Sequence, residues 1–168
     1  EGGVAGTTRL LKNVAGLWLL QACRRQWAGE GVSLAYDDLV AAAAQEHHAF
    51  QAIVDPDDPS FLSPDNMVAA IASYCERTGQ HPPASPAGYA RTIFESLALK
   101  YRVVIDALES ITGTSIQTIR VVGGGAKNHL LNAFTASATG RTVLAGPVEA
   151  TALGNIAMQM VATGAVSS

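Results

Sequence analysis

The run Thr118-Ile119-Arg120-Val121-Val122-Gly123-Gly124-Gly125-Ala126-Lys127-Asn128 decides how the rest of the chain is read. Its β-branched opening favours a strand. Three consecutive glycines then let the backbone turn sharply and admit a ligand close to the main chain. The free N–H groups at the start of the following helix favour a phosphate. Strand, glycine turn and helix is also how many α/β proteins change direction, so two readings stand at this point: a nucleotide seat and a plain turn.

The residues that follow extend the pattern. A helix from about Lys127 to Thr139 is ended by Gly140, a strand covers Thr142 to Ala145, Gly146-Pro147 turns the chain, and a helix from about Ala150 to Thr163 is ended by Gly164. This β-α-β-α unit predicts two parallel neighbouring strands with a right-handed crossover, and ligands on such sheets sit beyond the carboxyl ends of the strands. Both glycine-bearing loops fall at that edge, which favours the nucleotide reading. The motif lacks the third glycine of the dinucleotide fingerprint, Glu149 is poorly placed as a ribose acid, and no Walker-type G-x-x-x-x-G-K-[ST] run occurs. No serine stands in a nucleophile-elbow pattern.

Upstream of this unit the chain reads as helices. Leu10, Leu11, Val14, Leu17 and Trp18 recur at helical spacing and predict a helix from about Leu11 to Trp27. Asn13 and Gln21 on it are separated by about 12 Å along the axis and about 80° around it. Either both face one cleft at two depths, or Asn13 caps the helix and Gln21 is ordinary surface. Ser33 is the expected cap of a helix from about Leu34 to Phe50, closed by His47 and His48. Asp55-Pro56-Asp57-Asp58-Pro59-Ser60 reads as a solvated acidic turn, without the glycine and distal glutamate of a calcium loop. Ser63-Pro64-Asp65 is the expected start of a third helix ending at Gly79, with Met67, Ile71 and Tyr74 on its buried face. After the linker Gln80 to Ala84, Ser85-Pro86 opens the longest helix, whose stripe from Tyr89 through Ile93, Phe94, Leu97, Tyr101, Val104 and Leu108 to Ile111 runs up to Gly113 as a packing spine.

Composition bounds the function. Eleven Lys and Arg against fourteen Asp and Glu give a net charge of −3, and the basic residues do not cluster except at Arg24-Arg25, so no nucleic-acid partner is expected. Charged residues make up 15% of the chain, against about 25% in an ordinary soluble domain, which predicts a surface partly covered by other polypeptide. Cys23 and Cys75 have no zinc or disulfide spacing and read as buried reduced thiols. No apolar run is long enough to span a bilayer and no leader is seen, so the expectation is a cytoplasmic protein without a membrane partner. The chain opens at Glu1-Gly2-Gly3 rather than at a methionine, as a piece of a longer protein would.

The segments Val121 to Asn128 and Ala145-Gly146-Pro147-Val148-Glu149-Ala150-Thr151-Ala152-Leu153-Gly154-Asn155 closely resemble the C-terminal domain of the FGGY carbohydrate kinases, relatives of actin, hexokinase and Hsp70. Glu1-Gly2-Gly3, Leu11-Lys12-Asn13, Gly16 to Gln21 and Ala90 to Ala98 resemble the branch of that family acting on L-rhamnulose. The resemblance covers essentially the whole chain. It implies a partial, helix-rich α/β domain of the ribonuclease H-like type, with residues 1–168 a fragment of the nucleotide-side C-terminal domain, facing an N-terminal kinase domain across a cleft for ATP and sugar. It further implies that Gln21, Gly124 and Asn128 contact ATP and that Asn13 reaches the ketose, one helix spanning both. Magnesium would accompany ATP, with no metal ligand from this chain. The catalytic base of the family lies outside the chain, so no acid here is catalytic and the fragment is expected to be inactive alone. Alternatives are a kinase for xylulose or fuculose, and a non-catalytic nucleotide-binding module of the actin and Hsp70 type.

Overall fold

The computed structural model describes residues 6–47 and 49–166. The Glu1-Gly2-Gly3 opening and His48 lie outside the described residues. Among the described residues six α-helices and two strands follow one another: α1 (Trp18–Gly29), α2 (Tyr36–Gln45), α3 (Met67–Arg77), α4 (Pro86–Thr112), β1 (Thr118–Val121), α5 (His129–Thr139), β2 (Thr142–Ala145) and α6 (Ala150–Ala162). The chain is thus helix-rich with one small sheet, in which β1 and β2 pair in parallel with Thr118 opposite Thr142 and Val121 opposite Ala145.

The core lies among the helices. Leu19, Leu20 and Cys23 of α1, Ile71 and Cys75 of α3, and Ile93, Phe94 and Leu97 of α4 are all fully buried, with Leu39 and Ala43 of α2 and Leu131 of α5 joining them. Trp27 meets Tyr89 edge-on, with ring centroids 6.1 Å apart. Both cysteines are buried free thiols, and burial pushes the Cys23 thiol up to about 12. The sheet is tied to the end of α4 by one clasp: Arg141 donates to Ile116 O, Thr139 O and Glu109 Oε2, and Glu109 Oε1 accepts the Ile116 N–H. No residue of α6 is buried, and Leu153, Ile156 and Met158 on it are all more than half exposed.

Helix α4 forms as the sequence predicts. Ser85 caps it by accepting the Gly88 N–H at 3.0 Å, Pro86 occupies its first turn and Gly113 ends it. The expected stripe is buried only in its first half: Ile111 is 72% exposed, and Ile105 is the buried residue beyond Ala98.

Three helix boundaries differ from expectation because long-range partners take the backbone groups a helix would use. The first helix starts at Trp18, not Leu11: the Ala15 N–H donates to Asp57 Oδ1 at 2.8 Å, where a helix would offer it to Leu11 O. The second starts at Tyr36 rather than Leu34, since Leu34 O is occupied by two donors of Arg24, and Ser33 makes no cap. It stops at Gln45 rather than Phe50. Arg91 donates to Ala43 O and Glu46 O, Glu95 accepts the Phe50 N–H, and Phe50 adopts φ 55. The half-buried Arg91, paired with buried Glu95 at 2.8 Å, thereby sets the end of α2. A fourth boundary shifts for a local reason: the third helix is capped by Asn66, whose Oδ1 accepts the Ala69 N–H, and not by Ser63.

The acidic stretch 55–60 is a turn, as expected, but it is braced rather than merely solvated. Asp58 accepts from the Ser60 N–H and hydroxyl and pairs with Arg77 of α3 at 2.6 Å, while Lys100 of α4 reaches Asp55 and Asp57 at 2.8 and 3.2 Å. The Ser60 hydroxyl and N–H, followed by Arg77, hold the Asp58 carboxyl below its ordinary value. A carboxylate depressed in the folded state stabilises the fold above its unfolded pKa, and that contribution is lost as the pH falls through the folded value.

Two outcomes follow from these contacts. Acid unfolding followed by circular dichroism should show an Asp58-dependent loss of stability beginning near the ordinary carboxylate value of 3.8 and continuing below it. Asp58→Asn should remove that component and leave the region above pH 5 flat. Ser85→Ala should lower stability by about 1 kcal/mol, read as a reduced urea midpoint at unchanged slope.

Candidate functional site

The carboxyl ends of β1 and β2 carry the two glycine loops, and hydrogen bonds join them. Gly146 N–H donates to Val121 O at 2.7 Å and Gly123 N–H to Pro147 O at 3.3 Å. Gly123 holds φ 79 and ψ −164, a region open essentially to glycine alone. A Cβ at Gly146 would lie 3.0 Å from Val122 Cγ1 and 3.3 Å from Val121 O, so the second loop depends on close approach. Gly124 differs from both. Its φ is ordinary, it is exposed, and a Cβ built there meets no atom within 4 Å. The fold therefore does not require glycine at 124, although a ligand lying against the backbone would.

Residues Gly124–Lys127 form a single 3₁₀ turn, so α5 starts two residues later than expected. The N–H groups of Gly124 and Gly125 have no acceptor among the described residues, since the turn closes through Ala126 N–H to Gly123 O and Asn128 N–H to Gly125 O. Two open donors at the end of a parallel strand suit an anion.

Asn128 is 2% exposed, and both the oxygen and the nitrogen of its amide have a partner. Oδ1 accepts the Leu131 N–H at 2.9 Å, capping α5, and Nδ2 donates to Tyr36 Oη at 2.8 Å. Its side chain thus fixes the turn, leaving backbone groups for any ligand. Tyr36 leads on to the third sequence candidate. The Arg24 guanidinium lies 5.8 Å over the Tyr36 ring and donates to Gln21 Oε1 at 2.9 Å. Burial, opposed by the Asn128 bond, pushes the Tyr36 phenol up and keeps it protonated. Gln21, Arg24, Tyr36 and Asn128 therefore form one connected polar chain from α1 to the glycine turn. Sequence reasoning missed Arg24 and Tyr36, because no local spacing links Tyr36 to a residue 92 positions later.

Asn13 is not on α1. It is exposed in the irregular stretch before the helix, so a single helix carrying both Asn13 and Gln21 is not what the chain forms. It lines a cavity of about 480 Å³ together with Trp18, Pro56, Asp57 and Phe61. A second cavity of about 670 Å³ lies between the same stretch, α4 and β1 and reaches Gly125; Lys12 and Val14 line both. The segment carrying Asn13 thus separates two hollows, one lined by Asn13, Asp57 and Asp58, the other reaching the glycine turn with Arg120 and Asn132 among its apolar lining. No hydrogen bond among the described residues joins Asn13 to the Gln21–Asn128 chain.

A glycine turn with open donors at the carboxyl edge of a parallel pair, braced from a helical layer, can receive an anionic ligand. Residues 1–163 match the model of the FGGY family of carbohydrate kinases, C-terminal domain, and the chain belongs to that family. Among its relatives are proteins named rhamnulokinase. The one from Bacteroides thetaiotaomicron is 46% identical over 164 residues, covering 98% of this chain and 33% of the relative. That from Enterococcus faecalis is 46% identical over 166 residues, with 98% and 33% covered, and that from Bacillus subtilis 39% over 162, with 96% and 33% covered. The chain therefore spans about a third of the length of the curated relatives it matches.

The double engagement of Asn128 has a measurable consequence. Asn128→Ala removes the cap and leaves the Tyr36 hydroxyl without its partner, which should lower stability by about 1–3 kcal/mol in urea unfolding. Asn128→Asp retains the capping oxygen but loses the donor, so it should recover part of that loss and not all of it.

Proposed function

We propose that this chain is the nucleotide-side C-terminal domain of an ATP-dependent sugar kinase that converts L-rhamnulose to L-rhamnulose 1-phosphate. The observation that carries the proposal is the open backbone at Gly124, glycine by sequence where the fold imposes none, with unpartnered N–H donors beside it. The names of the relatives supply the sugar. In this reading β1 and β2 belong to a ribonuclease H-like sheet, Gly124 lies against ATP, and Gln21 contacts it from α1. Asn128 lies beside the nucleotide and holds the turn, and Asn13 reaches the ketose.

The role of these residues is positioning. Phosphoryl transfer depends on holding donor and acceptor in line and on neutralising charge on the transferred group. Magnesium is carried by the phosphates of ATP, as it is wherever the ion keeps most of its water and few protein ligands. The base that takes the proton from the sugar hydroxyl comes from the N-terminal domain, and residues 1–168 alone should not turn over. The same domain supplies the cover for α6, no residue of which is buried. A consumer of ATP works where ATP is kept, which places the protein in the cytoplasm. Among the described residues no helix is long and apolar enough to cross a membrane.

The test uses the full-length protein. ADP release over a panel of L-rhamnulose, xylulose and fuculose should be fastest with L-rhamnulose; equal rates would sink the sugar assignment, and no rate with any ketose would favour a nucleotide switch. Gly124→Val should leave the unfolding midpoint unchanged, since nothing crowds its Cβ, and weaken ATP binding by about tenfold or more by blocking backbone approach. Unaltered ATP affinity in that variant would remove Gly124 from the site.

A further inference from the structure

The stretch carrying Asn13 has no regular secondary structure of its own, so its shape is set by whatever its backbone and side chains touch. One residue touches it on both sides of Asn13. Asp57 Oδ1 accepts the Ala15 N–H at 2.8 Å, across 42 residues of sequence, and Asp57 Oδ2 lies 3.3 Å from Lys12 Nζ. That second oxygen is buried and engaged by charge alone, since its other neighbour is Lys100 Nζ of α4 at 3.2 Å.

The clamp is itself held firmly. Lys100 also binds Asp55 Oδ1 at 2.8 Å, the same oxygen accepts the Asp57 N–H, and Asp58 is pinned by Arg77 of α3. Asp57 therefore stands between two packed helices and the irregular segment before α1, and it lines the 480 Å³ cavity with Asn13. Burial raises the Asp57 carboxyl, but the Ala15 N–H and the two ammonium groups outweigh it and hold it below its ordinary value, so it is charged throughout the neutral range.

We propose that Asp57 is a positioning residue for the sugar side of the site: it fixes Lys12 and Ala15 and thereby sets where the Asn13 amide points. The acidic turn then has a role in the reaction through Asn13 and not by touching substrate. The proposal rests on the reading that Asn13 contacts the ketose.

Kinetics of the full-length kinase with L-rhamnulose and ATP test it. Asp57→Asn keeps an acceptor for the Ala15 N–H and removes the charge that holds Lys12 and Lys100, and it should raise the ketose KM about tenfold while the ATP KM stays within about twofold. Lys100→Met, which removes the helix-side anchor, should give the same split and serves as the probe if Asp57→Asn does not fold. The double variant Asn13→Ala with Asp57→Asn should be no worse than Asn13→Ala alone, because Asp57 acts through Asn13. If Asn13→Ala raises the ketose KM and Asp57→Asn does not, the clamp is refuted while the site reading survives. Additive effects, or equal changes in both KM values, would also refute it. If Asn13→Ala leaves the ketose KM unchanged, the reading of Asn13 fails and the inference falls with it.

Discussion

The site depends on a single buried amide. Asn128 lies at the junction of the glycine turn and α5, with its oxygen committed to the α5 backbone and its nitrogen to Tyr36 on another layer. A buried polar group left unpaired is costly, whereas a fully paired one specifies geometry. Asn128 therefore allows the glycine turn one position relative to the helices. The open N–H donors of Gly124 and Gly125 have a defined direction because the residue three or four positions later has no freedom left.

From that junction the molecule divides by what holds each part. The helices α1 to α4 share an apolar core sealed by aromatic and aliphatic side chains. The two-strand sheet has almost none of that packing and is located by polar contacts, the Arg141–Glu109 clasp at one end and Asn128–Tyr36 at the other. A rigid helical layer that presents a thin sheet edge through a few directed hydrogen bonds suits a binding wall, since the wall's position is specified without a second core beneath it. The exposed apolar helix α6 continues from the same edge, so its apolar surface and the open donors of the glycine turn adjoin each other.

What the sequence made legible was local. Ser85-Pro86 and Gly113 mark the ends of α4 because cap and left-handed terminus are chemistries of neighbouring residues, and the glycine run marked the turn for the same reason. What it hid was every backbone group captured from a distance. The Leu10 to Trp18 pattern has helical spacing, yet Asp57 takes the Ala15 N–H; Arg24 takes Leu34 O; Glu95 takes the Phe50 N–H. In each case a charged side chain from elsewhere outcompetes the helix's own ladder, and local periodicity contains no trace of it. The polar chain from Gln21 to Asn128 was half visible: its two ends were singled out by family resemblance, and its middle, Arg24 and Tyr36, exists only in the fold.

In the proposed function the Gly124 backbone forms a wall of a nucleotide site. A crystal structure of the full-length protein with ADP bound tests it most directly. The account predicts a nucleotide atom in van der Waals or hydrogen-bond contact with the Gly124 main chain, a polar contact falling at about 3 Å, and the Asn128–Tyr36 bond unbroken. Nucleotide bound away from the Gly123 to Lys127 turn, or an Asn128 amide swung out of its bond to Tyr36, would contradict it.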